Sequence, residues 1–82
     1  MLDGIEPRII DEIRHAAGHV PGLRLCEAKA RWLGHRLRAD LVVSLDPAQS
    51  VTDATRLIET LRSELREHLP ALDEARIELA AS

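Results

Sequence analysis

Between His35 and Leu45 the chain alternates. Leu37, Ala39, Leu41, Val43 and Leu45 fall on one parity, and Arg36, Arg38, Asp40 and Ser44 on the other, where Val42 is the one apolar residue. A period of two sends successive side chains to opposite faces of a strand, so the stretch predicts a β-strand with one buried face. A second strand is expected over Leu23 to Arg31, where Cys26, Ala28, Ala30 and Trp32 alternate with Glu27, Lys29 and Arg31. Leu23 and Leu25 lie on the opposite parity, which predicts a bulge or a change of face near Leu25. Leu33-Gly34 then makes a short turn, giving a hairpin into the central strand, and Asp46-Pro47 ends that strand because proline cannot continue an interior ladder.

Two segments carry the helical period instead. Ile9, Ile10, Ile13, Ala16, Ala17 and Val20 form one apolar stripe with Arg8, Asp11, Glu12 and Arg14 between them. Pro7 suits the first turn of that helix, where its missing N–H leaves no bond unmade, and Pro21-Gly22 closes it. Ser50 with Asp53 predicts a capped start for a second, long helix whose stripe is Val51, Ala54, Ile58, Leu61 and Leu65, ending before Pro70. Ala75, Ile77 and Leu79 alternate with Arg76 and Glu78 in a short last strand.

The order is therefore helix, strand, strand, helix, strand (αββαβ), an α+β fold. A tight turn makes the first two strands antiparallel, and the second helix is a crossover long enough to bring the last strand parallel to the central one. The expected product is a three-stranded mixed sheet covered by two helices on one face. Its other face stays bare, where a partner binds or protomers pair.

At 82 residues the chain makes one domain with a small core, a size that gains from self-association, so an oligomer is expected. A net charge of −3 lacks the basic footprint of a nucleic-acid binder, and with Trp32 as the single aromatic there is no stacking platform, so no nucleic-acid partner is expected. One cysteine excludes an internal disulfide framework and fits a reducing compartment. No apolar run approaches the roughly 20 residues of a membrane span. The pattern contains no CxxC pair, no glycine-rich phosphate loop and no serine in a nucleophile's setting, so the chain reads as non-enzymatic.

The residues with chemistry in them admit plain roles. Cys26, on the apolar parity of its strand, reads as a small buried hydrophobe or else as a metal ligand shared with a second protomer. His15 and His19, four apart, read as a solvent-exposed pair, and His68 as a favourable positive charge near a helix C-terminus. His35 reads as a surface residue of the turn, where two dimer halves could collect ions. Trp32 either caps the sheet edge or anchors a dimer interface.

Several pieces in this order resemble one family: Val20-Pro21-Gly22, the basic hairpin ending in Gly34-His35-Arg36-Leu37, the strand Ala39 to Pro47, and Ser50-Val51 opening a helix. They resemble the carboxy-terminal cytoplasmic domain of cation diffusion facilitator transporters, and Leu2-Asp3-Gly4 looks like the linker after that family's last membrane helix. The resemblance implies residues 1–6 as linker and 7–82 as a ferredoxin-like or metallochaperone-like domain. It implies a homodimer on the cytoplasmic side that binds a divalent cation, zinc foremost, and regulates proton-coupled export by an attached membrane domain. It also implies histidines at positions held here by Cys26, Val42, Thr55 and Glu78. Cysteine and glutamate both ligate zinc, so Cys26, Glu27 and Glu78, with His35 in the turn, are the candidate ligands, while Val42 and Thr55 remove the full set. The rival expectation is a free-standing ferredoxin-like dimeric module that binds a small ligand or a partner protein across its bare sheet.

Overall fold

The alternating stretch is the middle strand of the sheet. In the computed structural model, which describes residues 7–80, the chain runs α1 (Pro7–Gly18), β1 (Leu23–Leu33), β2 (Arg36–Leu45), α2 (Val51–His68) and β3 (Leu72–Leu79). The linker expected at 1–6 lies outside the described residues. The sheet order is β1-β2-β3, with β2 antiparallel to β1 and parallel to β3, as the connections require.

Leu37, Ala39, Leu41 and Val43 of β2 are all buried, and they share one core with Ile13, Ala16, Ala17 and Val20 from α1 and its exit and with Leu61, Leu65 and Leu69 from α2 and its exit. Both helices therefore cover the same face of the sheet. Leu45, at the end of the strand, is only half-buried. Ser50 caps α2 by accepting a hydrogen bond from the Asp53 backbone N–H at 3.1 Å. Val51, expected on the buried stripe, is instead 84% exposed. It occupies the first position of α2, before the helix reaches the sheet.

β1 continues to Leu33, two residues beyond the expected Arg31, and the turn is Gly34-His35 rather than Leu33-Gly34. Leu33 pairs with Arg36, which leaves a two-residue loop whose first residue has a positive φ of 66°. Glycine adopts that conformation without steric cost, as the tight hairpin turns require. The expected irregularity near Leu25 is a β-bulge: Leu25 pairs with Val43 and Glu27 with Val42, and Cys26 has no partner. Across the bulge the parity changes, so Leu23 and Leu25 join Ala28 and Ala30 on the core side. Cys26 is thereby exposed, and its assignment as a buried hydrophobe does not hold.

Candidate functional site

The uncovered face of the sheet is a lattice of charge. Its rows, read from β1 through β2 to β3, are Arg31, Arg38, Glu74; then Lys29, Asp40, Arg76; then Glu27, Val42, Glu78. In the first row two arginines adjoin and Arg38 reaches Glu74 at 3.2 Å, and in the second Asp40 lies between two basic residues. The third row differs: two carboxylates flank an apolar residue. Neutralisation there comes from within each edge strand, with Lys29 at 3.8 Å from Glu27 and Arg76 at 3.4 Å from Glu78. All four side chains are more than half exposed, so solvent weakens both pairs. Glu27, Lys29, Asp40, Val42, Arg76 and Glu78 line a shallow groove of about 330 Å³ along this face.

Two of the four expected ligands, Glu27 and Glu78, thus share the open face, their backbones roughly 9–10 Å apart from the usual strand spacing. The other two stand away from it. Cys26 projects from the bulge at the sheet edge, beside Ile10 and Arg14 of α1, and His35 is in the exposed hairpin turn. Val42 occupies the middle of the carboxylate row, and Thr55 is exposed on α2.

A second cluster lies on the helical layer. His19, immediately after α1, places Nδ1 2.9 Å from Glu64 Oε1 of α2. His68, one turn further along α2, places Nε2 3.6 Å from the same oxygen and Nδ1 3.2 Å from Glu12 Oε1 of α1. The His15 ring lies parallel to that of His68, with centroids 6.4 Å apart. His15 and His19 are exposed as expected, but His68 does more than neutralise a helix end, since it sits between carboxylates from two helices. In the sequence Glu12 reads only as a polar residue between the stripe positions of α1, and Glu64 carries no signal of its own. The signal that could have found the cluster was the spacing of four shared by His15 and His19 on one segment and Glu64 and His68 on the other. Each spacing faces one side of its helix, and packing of the two helices brings those sides together.

Residues 5–79 match the sequence profile of a family described as "Cation efflux protein, cytoplasmic domain". A probable cation efflux system protein of Mycobacterium tuberculosis is 35% identical over 78 residues, which cover 94% of this chain and 24% of that protein. The chain spans about a quarter of the length of the curated relatives it matches. Among solved structures, a single-residue variant of MamM-CTD superposes with a TM-score of 0.81 at 25% identity, covering 92% of this chain and 96% of that one. A nickel form of MamM-CTD gives 0.84 at 23% identity, covering 94% and 99%. A cadmium form gives 0.83 at 22% identity, covering 93% and 96%.

Proposed function

Because the chain belongs to the cytoplasmic-domain family of cation efflux proteins, we propose that it is the dimerising, regulatory part of a proton-coupled exporter of divalent cations, zinc foremost. Its role is to bind and to change shape, with no catalysis of its own. The observation that carries this reading is the row Glu27, Val42, Glu78 on the uncovered face. Two such rows, one from each protomer, set four carboxylates near one another around an apolar centre. Their repulsion favours an open pair, and a divalent cation that bridges them favours a closed one, which is a population shift driven by differential affinity. The nickel and cadmium forms of MamM-CTD support divalent binding on this fold. In a longer native chain the closed pair would act on the membrane domain.

The test is sedimentation velocity of the domain with and without zinc, paired with calorimetric titration. Saturable heat at a stoichiometry tied to the dimer, together with a more compact dimer, is the expected result. A monomer at every concentration, or a dimer indifferent to zinc, nickel and cadmium, would overturn the reading. The second reading, an organic-ligand module, has the 330 Å³ groove in its favour, but that groove is lined mainly by charged side chains, whereas such sites are mostly apolar.

A further inference from the structure

We propose that His19, Glu64 and His68 form a transition-metal site that clamps the end of α1 to the last turns of α2. This site rests on the helix cluster alone and is separate from the open sheet face on which the proposed function depends.

Geometry comes first. One ligand atom from each of the three residues lies within 4.8 Å of the other two. A tetrahedral ion with bonds of about 2.0–2.1 Å holds its ligands roughly 3.3 Å apart. Small rotamer adjustments close that difference, because His19 is half exposed and free to turn while Glu64 and His68, each 24% exposed at the side chain, are held by the helix surface.

The ligand chemistry points the same way. Two imidazoles and one carboxylate suit zinc, cobalt, nickel or copper, not the all-oxygen preference of magnesium or calcium. His68 also has the partner that metal-bound histidines characteristically have. With Glu12 Oε1 3.2 Å from Nδ1 and accepting from it, ligation by His68 would fall to Nε2, which lies 3.6 Å from Glu64 Oε1. His15, 6.5 Å from His19 and 6.4 Å from His68 between ring centroids, is a third imidazole beside the cluster.

The charge balance asks for a cation. Among the described residues, neither Glu12 nor Glu64 has an arginine or lysine within ion-pair distance; the basic groups beside them are histidines. Metal ligation takes imidazole in its neutral form, so in the metal-bound cluster the two carboxylates bring about two negative charges, which a divalent ion cancels.

The consequence is mechanical. His19 and Glu64 are 45 residues apart in sequence, so the ion cross-links the two helices that roof the sheet. Binding to the folded chain alone raises its stability with the logarithm of the ratio of free metal to Kd once that ratio is well above one. A metal held here stiffens the helical layer without contacting the face proposed to pair with a second copy.

The experiment titrates the domain with cobalt(II), read by its visible d–d absorption, and with zinc by calorimetry. Three chains are compared: the wild type, His19→Ala/His68→Ala, and Glu27→Ala/Glu78→Ala. All are checked for unchanged far-UV circular dichroism. The expected result is an intense four-coordinate cobalt spectrum in the wild type and in the sheet-face variant, lost in the helix variant. Glu12→Gln, which removes only the outer partner, should weaken zinc about 10–100-fold while retaining the spectrum. If the helix variant binds cobalt and zinc as the wild type does, or if the sheet-face variant abolishes all binding, the site does not exist. Should the helix variant fail to fold, Glu64→Gln replaces it. A wild type whose dimer does not respond to zinc while the cobalt spectrum is intact would count against the dimer reading alone.

Discussion

Leu25 and Glu27 pair with adjacent residues of β2, Val43 and Val42, and skip the cysteine between them. That one-residue slip decides which face every later β1 side chain occupies. It puts Glu27 on the open face, opposite Val42, and it expels Cys26 from the ladder. An unpaired, exposed thiol should react with Ellman's reagent stoichiometrically in the native state, without denaturant. Cys26→Ser should change stability by no more than about 0.5 kcal/mol, as expected for a surface position. A thiol that reacts only after unfolding would show that the bulge lies elsewhere.

Val42 is the position at which the family resemblance expects histidine, and here it lies between Glu27 and Glu78. Val42→His places an imidazole midway between two carboxylates, the ligand types zinc accepts. The expected outcome is a gain in zinc affinity of at least roughly tenfold, equivalent to about 1.4 kcal/mol. Glu27→Ala/Glu78→Ala should remove that gain. Calorimetry on the three chains checks it, and a Val42→His protein that binds zinc no better than the wild type would count against a metal position on this face.

Most of the fold was legible because each element announces itself locally. The period of two in β2, the helical stripes, Ser50 with Asp53, and the proline and glycine stops each act within a few residues. The opposite parity of Leu23 and Leu25 revealed even the bulge. The burial of Cys26 was misjudged because parity was counted on the far side of that bulge, where the bulged residue itself belongs to neither face. The His19, Glu64, His68 cluster was invisible for a different reason. It joins segments 45 residues apart, and nothing local in either helix says which exposed sides will meet.

Burial predicts contrasting costs at two apolar positions. Leu41 is 1% exposed at the centre of the core, so Leu41→Ala should cost about 2–5 kcal/mol through lost burial and the cavity left behind. Val51 is 84% exposed, and Val51→Ala should change stability by no more than about 0.5 kcal/mol. Urea denaturation followed by circular dichroism measures both. Comparable costs at the two sites would mean that Val51 is covered in solution, for instance by a second copy.

The start of α2 gives a third measurable quantity. Ser50 accepts the Asp53 N–H, and Asp53 adds a negative charge in the first turn. Ser50→Ala removes one hydrogen-bond acceptor at an exposed helix end and should cost about 0.5–2 kcal/mol, while Ser50→Asp should restore the cap. Failure of Ser50→Asp to recover stability would show that the side chain does something other than capping.

Gly34 isolates backbone strain from packing. Its φ of 66° lies in the region that residues with a Cβ avoid, and a Cβ built there meets nothing within 4 Å. Gly34→Ala therefore tests the turn conformation with no clash to confuse it, and the expected loss is roughly 1–2 kcal/mol. Gly22, with φ of 89°, differs because its added Cβ would also come within 3.2 Å of Gln49 Nε2. Gly22→Ala should accordingly cost at least as much as Gly34→Ala, unless the Gln49 side chain swings aside. The loss at Gly34 should leave metal affinity at the helix cluster unchanged, since neither residue of the turn is among the contacts of His19, Glu64 and His68. An equal drop in zinc affinity at that cluster would mean that the turn and the helical layer move together, and that the hairpin transmits strain across the sheet.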